Sequence, residues 1–465
     1  MHPLTVEHVC ELVDGTICGD IMVAATVDGC VIDSRQVQRG DVFIALPGAQ
    51  AHGVEFSAAA LRDGANVVIV DESAAQACRV PHIKVADATV ALAQLGRHNR
   101  QTSDALVIAV TGSVGKTTAR RMIAATLEAV YTGIQSPQNF NNHLGVPLSL
   151  LELQSGDEFA VIEVGSSAPG EVALLASIVR PEFSVVTCVS PAHLDGLKSL
   201  KAVQQEKQAL IAALSSDGIA FLNADNPLVA EMKTSAPGRV VTFGTAATAE
   251  VRATAVRMTD DALVLTVDGD EYTVRVCGRH NVTNVLAAIA VGLEVGLAPE
   301  QINAGLSTYE PEPGRCCPMQ IGSWTVIDDT YNSNPAAVNA AIRTAEEFRH
   351  CRHRVLVLND MMDLGEQAAD LHYGIGAALA SSKLDHIAVT GNFAGDVVDG
   401  FLACGGALNR ISCFANLALL TTMLDCLLCD NDLVLVKGSR ATRMEQVVES
   451  LRRLASTDAA ERRAA

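Results

Sequence analysis

Residues 106–118 read Leu-Val-Ile-Ala-Val-Thr-Gly-Ser-Val-Gly-Lys-Thr-Thr, an apolar run that breaks into a glycine-bracketed turn. The apolar run predicts a buried strand. Residues 119–129 then carry Met122, Ile123 and Leu127 at helical spacing, so the turn connects a strand to a helix. A helix N-terminus presents unpaired amides and the positive end of a dipole, and both attract anions. This order of elements predicts a phosphate-binding loop.

The residue types in this loop suit a nucleotide phosphate. Gly112 and Gly115 allow backbone amides to approach phosphate oxygens, Lys116 supplies a positive charge, and Thr117 offers a hydroxyl to Mg²⁺. Val110 stands where the longer G-x-x-x-x-G-K-[ST] pattern has its first glycine, so the shorter G-x-x-G-K-T form carries the prediction. The predicted nucleotide contacts are Gly112, Ser113, Val114, Gly115, Lys116, Thr117 and Thr118.

Length and composition predict a globular protein of several domains. A chain of 465 residues is too long for one core and suggests about three domains. Its apolar runs are shorter than the roughly 18 to 20 residues of a membrane span, and residues 1–15 lack the pattern of a secretory signal. With 53 acidic against 34 basic residues, the surface would repel a nucleic-acid backbone. We expect a cytoplasmic protein with no membrane span and no nucleic-acid partner.

The cysteines are expected to be structural. Thirteen cysteines are scattered along the chain, and in a reducing compartment most should be small buried hydrophobic residues. The C-x-x-C from Cys426 to Cys429 lies in an apolar stretch that predicts consecutive turns of a helix. A zinc or redox role is disfavoured because no second cysteine or histidine pair lies at metal spacing nearby.

The N-terminal part, residues 1–103, predicts an α/β module. Short apolar strands alternate with a helical pattern between Val31 and Val70. Ser34 and Arg35 follow one of these strands, at the position where open sheets bind ligands. Turn residues and a surface arginine are the alternative interpretation.

The central part, residues 104–317, predicts a mostly parallel sheet, with apolar strands at 159–164, 183–189 and 218–222 separated by helical patterns. A Pro/Gly-rich stretch at 310–315 reads as a linker. Residues 318–465 again alternate strands and helices without a glycine-rich dinucleotide fingerprint. They predict a Rossmann-like third domain that need not bind NAD.

Polar side chains follow the strands of the predicted central sheet. Glu163 ends one strand and His193 follows the next. Because the carboxyl ends of parallel strands meet at one edge, both side chains should converge on the phosphate loop. The sequence therefore predicts a Mg²⁺ site formed by Thr117, Glu163 and His193, although a solvated turn is the alternative for Glu163 alone. Asn281 and Asn284 begin an apolar helix, as caps or as nucleotide contacts.

Five stretches of the chain form a recognisable set. They are TGSVGKTT at 111–118, NFNNHLGVPLSLL at 139–151, the strand end Glu163-Val-Gly, GRHNVTNVLAA at 278–288 and DDTYNSNP at 328–335. Together they resemble the Mur ligase family, the ATP-dependent amide-bond-forming enzymes of bacterial cell-wall synthesis. The resemblance implies a three-domain architecture, in which a central P-loop ATPase domain is flanked by an N-terminal UDP-binding module and a C-terminal Rossmann-like domain.

The forms NNHLGVP at 141–147 and YNSNP at 331–335 resemble the members that add D-alanyl-D-alanine to UDP-N-acetylmuramoyl-tripeptide. Diaminopimelate-adding members typically have Asn-Pro-Arg in the third domain, whereas here Asn334-Pro335 is followed by Ala336. The resemblance implies ATP, Mg²⁺ and these two small molecules, with diaminopimelate or lysine at the third peptide position. We expect a monomer.

The resemblance also implies a mechanism and a set of site residues. ATP would convert the tripeptide carboxylate to an acyl phosphate, and the dipeptide amine, with a pKa of about 8, would displace phosphate. The site must mainly neutralise charge and position the reactants. The implied catalytic residues are Lys116, Lys207, His193 and Arg315. The implied nucleotide contacts beyond the loop are Asn281, Asp329, Asn332 and Asn334. The implied substrate contacts are Ser34, Arg35, Asn141 and Asn142.

Lys207 would carry a carbamate that holds a second Mg²⁺, completing a metal set of Thr117, Glu163, His193 and Lys207. From spacing alone, Lys207 would be a surface lysine of a helix. A free lysine is only about 0.1% neutral near pH 7.4, and only the neutral amine reacts with CO₂. Burial or neighbouring cations must therefore lower its pKa.

Two alternatives remain open at this stage. A folylpolyglutamate-type ligase shares the TGSxGKTT loop, uses a different amino acceptor and lacks the N-terminal UDP module. A regulatory P-loop protein would bind nucleotide without ligation. The ligase hypothesis adds that the third domain must close before Arg315 and Asp329 can reach ATP.

Overall fold

The structure, a computed structural model, describes residues 1–48, 50–259 and 262–464. Within these residues the chain forms three principal sheets that follow one another along the sequence, each flanked by helices. The mixture of parallel sheets and helices agrees with the predicted α/β class.

The N-terminal module contains a mostly parallel sheet of five strands and a separate antiparallel pair of strands, the first and third of the chain. Its strands are β1 (Leu4–Thr5), β2 (Thr16–Cys18), β3 (Thr26–Val27), β4 (Gly29–Val31), β5 (Asp41–Ala45), β6 (Val67–Asp71) and β7 (His82–Val85), and its helices are α1 (Val6–Leu12), α2 (Ser57–Asp63) and α3 (Ala88–Gln101). The sheet order is β2–β7–β6–β5–β4, with β2 antiparallel. Strands β5 and β6 are buried on both faces, as expected of a sheet covered by helices.

The central domain carries the phosphate loop on its middle strand. Its strands are β8 (Leu106–Thr111), β9 (Gly133–Gln135), β10 (Phe159–Glu163), β11 (Phe183–Val186), β12 (Ile219–Asn223), β13 (Arg239–Gly244), β14 (Val251–Met258), β15 (Leu263–Val267) and β16 (Asp270–Val274). Its helices are α4 (Lys116–Glu128), α5 (Gly145–Leu151), α6 (Glu171–Val179), α7 (Leu194–Leu197), α8 (Leu200–Ala212), α9 (Pro227–Ala230), α10 (Val282–Glu294) and α11 (Pro299–Ser307).

The order of the central sheet is β16–β15–β14–β13–β12–β11–β8–β10–β9, parallel from β9 to β14 and antiparallel from β14 to β16. Strand β8 therefore lies between β10 and β11. Because the chain switches from one side of β8 to the other, a crevice opens at the carboxyl ends of these strands. The predicted phosphate loop follows β8, Glu163 ends β10, and His193 follows β11.

The third domain is built on the sheet order β17–β18–β22–β19–β20–β21, in which β17 is antiparallel and the remaining strands are parallel. Its strands are β17 (Cys317–Ile321), β18 (Trp324–Asp329), β19 (Arg354–Leu358), β20 (His386–Thr390), β21 (Ile411–Phe414) and β22 (Leu433–Lys437), and its helices are α12 (Pro335–Glu347), α13 (Ala368–Ala380), α14 (Ala394–Ala403), α15 (Leu417–Leu427) and α16 (Glu445–Ala464).

The strand predictions agree with the structure where an apolar run is buried. The strand predicted at 159–164 is confirmed as β10, Phe159–Glu163. The strand predicted at 183–189 ends earlier, at Val186. The next residue, Thr187, turns under the phosphate loop and donates from Oγ1 to the carbonyl oxygen of Val114 at 2.6 Å. Packing against the loop therefore ends the strand.

The prediction for the C-x-x-C was wrong in one respect. Cys426 lies on α15, but this helix ends at Leu427, so Cys429 lies beyond it and not on a following helical turn. The antiparallel arrangement of the three strands β14, β15 and β16 was also missed by the sequence analysis. Its strands alternate buried and exposed residues and sit at the edge of an otherwise parallel sheet.

Two glycines allow the phosphate loop to form. Gly112 and Gly115 have φ angles of 150° and 85°, in the region that disfavours side chains. A Cβ on Gly112 would overlap Thr187 Oγ1, and one on Gly115 would overlap Asn284 Oδ1. Helix α4 begins immediately at Lys116 with no side-chain cap, so its first amides remain oriented toward a ligand.

Candidate active site

A cavity of about 610 Å³ opens between the central and third domains. The phosphate loop forms its floor, and residues from the linker and the third domain form the opposite wall. Most predicted site residues line it. They are Ser113, Val114, Gly115, Lys116, Thr117, Thr118, Asn141, Asn142, Glu163, His193, Asn281, Arg315, Asp329, Asn332 and Asn334. The fold therefore brings together residues that are up to 221 positions apart, from Ser113 to Asn334.

The phosphate loop is fixed by contacts with the turn that follows β11. Ser113 Oγ donates to the Ser190 carbonyl oxygen at 2.9 Å and accepts from the Ser190 amide at 3.0 Å. Lys116 Nζ donates to the carbonyl oxygen of Gly112 at 2.8 Å, so the lysine folds back over its own loop. Burial lowers the pKa of Lys116. An anionic ligand in the loop would replace this internal contact with a charged partner.

Glu163 forms the centre of the predicted metal site. Its side chain is 1% exposed, Oε2 accepts from Thr117 Oγ1 at 2.7 Å, and Oε1 accepts from Asn141 Nδ2 at 2.7 Å. Adjacent oxygens on an octahedral Mg²⁺ lie about 2.9 Å apart, given bonds of about 2.05 Å. The hydroxyl and carboxylate therefore have the chemistry and the spacing of two neighbouring Mg²⁺ ligands.

A buried arginine balances the charge of this carboxylate. Arg120, one turn after Lys116 on α4, places Nη1 3.8 Å from Glu163 Oε2 and donates from the same atom to the carbonyl oxygen of Gln138 at 2.7 Å. Both charged side chains are almost fully buried. Because an uncompensated buried charge is costly, the Arg120 guanidinium offsets the cost of burying the Glu163 carboxylate.

His193 is placed at the edge of the cavity by a left-handed backbone conformation, with φ of 51°, immediately before α7. Its Nδ1 lies 3.8 Å from Asp363 Oδ2 of the third domain. Burial, and then the positive charges of Lys116 and Lys207, lower the pKa of His193 to about 4. The imidazole is therefore neutral near pH 7, which is the form that binds metal.

Lys207 lies behind the cavity wall, not on the surface. Its side chain is 2% exposed on α8, and Nζ donates to Ser166 Oγ at 2.6 Å, while Ser166 itself lines the cavity. Burial, and then Lys116, lower the pKa of Lys207 to about 7. The interpretation from spacing, a surface helical lysine, was wrong, because α8 packs this face against the sheet.

Arg315 approaches the cavity from the linker. Its guanidinium stacks on the ring of Tyr331 at 4.0 Å, and Nε lies 3.7 Å from Glu312 Oε2. Tyr331 was not predicted as a site residue, although it lies within the quoted DDTYNSNP stretch. A ring under the guanidinium restricts its orientation while leaving its edge available to an anion.

Asp329 is held by a lysine that the sequence analysis missed. Lys437, at the end of β22, is 1% exposed and donates from Nζ to Asp329 Oδ2 at 2.6 Å and to the carbonyl oxygen of Asn332 at 3.0 Å. The amide of Cys316 donates to Asp329 Oδ1 at 3.2 Å. One buried ammonium thus fixes two predicted nucleotide contacts. The sequence did carry a sign of this residue, namely a lysine at the end of an apolar run that predicts a buried parallel strand.

The predicted asparagines differ in how their side chains are used. Asn281, 3% exposed, donates to the carbonyl oxygen of Cys277 at 2.8 Å and accepts from Asn284 Nδ2 at 2.9 Å. Asn334 Oδ1 accepts from the Ala337 amide at 2.9 Å and caps α12. Neighbouring residues therefore hold the Asn281 side chain at the cavity. The Asn334 side chain also lines the cavity, but its oxygen is used to cap α12.

The predicted substrate residues are not all in one place. Asn141 contacts the Glu163 carboxylate, and Asn142 Oδ1 accepts from the Gly145 amide at 2.9 Å at the start of α5. Ser34 and Arg35 lie in the N-terminal module and do not line the cavity. The Arg35 guanidinium pairs with Asp33 at 2.6 Å and holds the pKa of that carboxyl at about 2.

Three family models match the chain. The Mur ligase middle domain matches residues 110–292, the Mur ligase glutamate ligase domain matches residues 314–440, and the Mur ligase family catalytic domain matches residues 26–100. The three matches follow the order of the three sheets. None of the described helices combines the length and apolarity needed to cross a bilayer.

Individual proteins are similar over nearly the whole chain. The UDP-N-acetylmuramoyl-tripeptide--D-alanyl-D-alanine ligase of Bacillus subtilis is 31% identical, covering 96% of this chain and 98% of its own. A crystal structure of MurF from Acinetobacter baumannii superposes with a TM-score of 0.87 at 28% identity, covering 97% and 99% of the two chains. MurF from Thermotoga maritima in complex with ADP has a TM-score of 0.80 at 25% identity, covering 93% and 99%.

Proposed function

The chain belongs to the Mur ligase family, and from that premise we propose that it joins D-alanyl-D-alanine to UDP-N-acetylmuramoyl-tripeptide at the expense of ATP. The reaction forms ADP, phosphate and a peptide bond, and it supplies a precursor of peptidoglycan. Relatives named for this activity match at about 30% identity along the full chain. The three-domain Mur ligase architecture and the use of ATP follow from the same membership.

One observation supports this function most directly. A phosphate loop, a buried hydroxyl–carboxylate pair and a buried lysine lie on one side of a cavity, and a stacked arginine faces them from the other. The participants are Lys116, Thr117, Glu163, Lys207 and Arg315. This arrangement suits the transfer of a phosphoryl group between two anions, because cations and metal ligands surround the space where negative charge develops.

The first step is the activation of a carboxylate. Its oxygen attacks the γ-phosphorus of ATP, the bond to the bridging oxygen breaks, and ADP leaves as the acyl phosphate forms. The amides at the start of α4 and the ammonium of Lys116 hold the transferred group, and Arg315 adds positive charge from the linker. Bound Mg²⁺ would neutralise phosphate charge, and Thr117, Glu163 and His193 fit its oxygen and imidazole ligands.

The second step forms the amide. The dipeptide amine attacks the acyl carbon, the tetrahedral adduct expels phosphate, and the ammonium proton is released. An α-amine with a pKa of about 8 is partly neutral at cytoplasmic pH, so a strong base is unnecessary. The chain's contribution is to hold the amine and the acyl phosphate together in a cavity enclosed by two domains.

We extend the proposal to a carbamate on Lys207. The amine adds to CO₂ and releases a proton, which converts a cation into an anionic oxygen donor. Burial at 2% exposure and a pKa of about 7 make a large neutral fraction available. Ser166 Oγ, 2.6 Å from Nζ, would hydrogen-bond the carbamate, and the two oxygens would suit a second Mg²⁺.

The N-terminal module separates this function from the folylpolyglutamate alternative. Residues 26–100 match a Mur ligase domain, and the module carries Ser34 and Arg35 as the proposed contacts to the UDP-linked substrate. The regulatory alternative is not supported, because the family consists of ligases. We place the reaction in the cytoplasm, where ATP is available, and propose a monomer.

A coupled phosphate-release assay tests the function. With ATP and Mg²⁺, phosphate should appear only when UDP-N-acetylmuramoyl-tripeptide and D-alanyl-D-alanine are both present, and mass spectrometry should show the joined product. Phosphate release that does not require the dipeptide would contradict the proposal. A panel of diaminopimelate and lysine tripeptides, with a folate and glutamate as a further pair, identifies the preferred substrate.

A further inference from the structure

A second group of ligand side chains lies far from the cavity, at the amino ends of the third-domain strands. His353 immediately precedes β19, Asp432 immediately precedes β22, and Cys429 lies in the loop after α15. One nitrogen, one carboxylate oxygen and one sulfur of these residues lie within 4.8 Å of one another. Lys437, at the cavity end of β22, is five residues away, or about 16 Å along the strand.

The loops that carry these residues are held together before any ligand binds. The Arg352 amide donates to the carbonyl oxygen of Asn431 at 2.7 Å, and the Leu433 amide donates to that of His353 at 2.9 Å. Asp432, 1% exposed, accepts from the His353 amide at 3.1 Å and from the Cys429 amide at 2.8 Å. The carboxylate is therefore fixed by backbone donors on both sides.

The spacing of the group suits a tetrahedral metal. His353 Nδ1 lies 3.0 Å from Asp432 Oδ1, and two ligands bound at about 2.0 Å on a tetrahedral ion lie about 3.3 Å apart. Cys429 needs a small movement to bring its sulfur to the same ion. The His353 side chain is 32% exposed and Cys429 is partly exposed, which leaves a path from solvent.

The donor set selects the class of metal. Imidazole and thiolate favour zinc-type transition metals, whereas Mg²⁺ and Ca²⁺ prefer an all-oxygen shell. A divalent ion bound by one thiolate and one carboxylate gives a neutral group, which suits the partly buried position. Binding would release the proton of the Cys429 thiol. We propose that His353, Cys429 and Asp432 bind one zinc-type divalent ion, with water in the fourth position.

This site resolves the interpretation of the C-x-x-C. Spacing alone joins Cys426 to Cys429, but the end of α15 at Leu427 separates them, and Cys426 stays exposed on the helix. The partner of Cys429 is His353, 76 positions earlier in the chain. A bound ion would link the two loops at the amino ends of β19 and β22. It would stabilise the third domain without touching the reacting groups.

Cobalt binding to the full-length, reduced protein tests the proposal, with excess Mg²⁺ present to occupy oxygen-rich sites. We expect a thiolate-to-cobalt charge-transfer band in the near ultraviolet that saturates at one equivalent and disappears when Zn²⁺ is added. C429S should lose the band. C426S is the matched control, because it removes a thiol three residues away that is not one of the proposed ligands. This variant should keep the band. The other exposed cysteines are common to both variants.

A second measurement guards against misfolding. Zn²⁺ should raise the Tm of the unsubstituted protein and of C426S but not of C429S, and all three should have the same circular dichroism spectrum without metal and the same ligase activity. D432N and H353Q should weaken Zn²⁺ binding at least about 10-fold. A band of equal intensity in C429S, a band lost in C426S, or no saturable band in the unsubstituted protein would overturn the proposal.

Discussion

The two walls of the cavity treat charge differently. On the central-domain wall, the Glu163 carboxylate accepts hydrogen bonds from a hydroxyl and a side-chain amide, and the Lys207 ammonium donates a hydrogen bond to a hydroxyl. On the opposite wall, Asp329 is bonded directly to the ammonium of Lys437, and the Arg315 guanidinium rests on an aromatic ring. On the first wall the short hydrogen bonds of Glu163 and Lys207 go to neutral groups, with Arg120 farther from the carboxylate at 3.8 Å, whereas the second wall pairs its charges directly or stacks them.

This difference indicates how the work is divided. Neutral partners are displaced easily, so the central-domain wall is ready to receive a metal ion and phosphate groups. A buried ion pair is rigid and costly to separate, so the opposite wall is suited to holding the nucleotide in a fixed position. Substitutions on the central-domain wall should therefore reduce kcat, and substitutions of the Asp329–Lys437 pair on the opposite wall should mainly change stability and the KM for ATP.

The largest effect is expected for Lys116→Ala. Loss of this ammonium removes positive charge where the transferred phosphoryl group becomes more negative, and kcat should fall roughly 10³-fold. Steady-state kinetics with all three substrates measures the change. Thermal unfolding should be nearly unchanged, because the ammonium donates to a carbonyl oxygen of its own loop, that of Gly112. A variant with near-normal kcat and a raised KM for ATP would place Lys116 in binding alone.

The next largest effect is expected for Lys207→Ala. Its kcat should fall at least about 100-fold, because the ligand of the second metal ion is lost. Lys201→Ala is the matched control, since Lys201 is exposed on the same helix α8 and should be silent. Lys207→Arg should be as inactive as Lys207→Ala, because arginine keeps the charge but forms no carbamate.

The carbamate itself is visible to carbon NMR. Protein equilibrated with ¹³C-bicarbonate should give a carbamate resonance in unsubstituted and Lys201→Ala protein, and none in Lys207→Ala. Removing CO₂ should lower activity, and restoring bicarbonate should recover it. Full activity in CO₂-free buffer would contradict the carbamate while leaving the ligase assignment standing.

An intermediate effect is expected on the opposite wall. Lys437→Met leaves Asp329 without its cation and should destabilise the protein by about 3–5 kcal/mol, as for other broken buried pairs. The KM for ATP should rise about 10-fold with a smaller change in kcat. Denaturant unfolding and kinetics measure the two effects separately.

The double variant sharpens this comparison. Asp329→Asn combined with Lys437→Met removes both charges, so much of the lost stability should return while the KM for ATP stays high. If stability did not return, packing of the lysine stem and not the ion pair would explain its burial. If the KM for ATP returned as well, Asp329 would have no part in nucleotide binding.

The smallest effect is expected for Arg35→Ala in the N-terminal module. The Arg35–Asp33 pair is exposed, and solvent screens such pairs, so it should contribute little to stability. The KM for the UDP-linked substrate should rise a few-fold with kcat and the KM for ATP unchanged. Arg39→Ala, an exposed arginine nearby, is the control. Equal behaviour of the two variants would remove Arg35 from the UDP site.

Local patterns allowed much of the central-domain wall to be predicted. The phosphate loop follows a buried strand within a single stretch, and Glu163 ends an apolar run that is visible in the sequence. Both predictions depend on residues close in sequence and on the rule that parallel strands end at one edge. The family and the fold are confirmed, while the predicted boundaries after residues 103 and 317 stay predictions.

Long-range pairing limited the remaining predictions. Lys437 is hydrogen-bonded to Asp329 across 108 positions, and His353 lies within 4.8 Å of Cys429 across 76, so spacing could not reveal either proximity. Lys207 looked like a surface residue because burial depends on how α8 packs against the sheet. In each case the sequence analysis lacked the order of the strands in the sheet and the packing around it. That arrangement places side chains that are distant in sequence beside one another.

The most direct test of the metal and phosphate site is anomalous diffraction from crystals grown with Mn²⁺, a non-hydrolysable ATP analogue and UDP-N-acetylmuramoyl-tripeptide. We expect one Mn²⁺ peak beside Thr117 Oγ1, Glu163 and His193 and a second beside a carbamylated Lys207. Mn²⁺ peaks elsewhere, with none near Thr117, Glu163 and His193, would contradict the central claim that the central-domain wall is built to receive metal and phosphate.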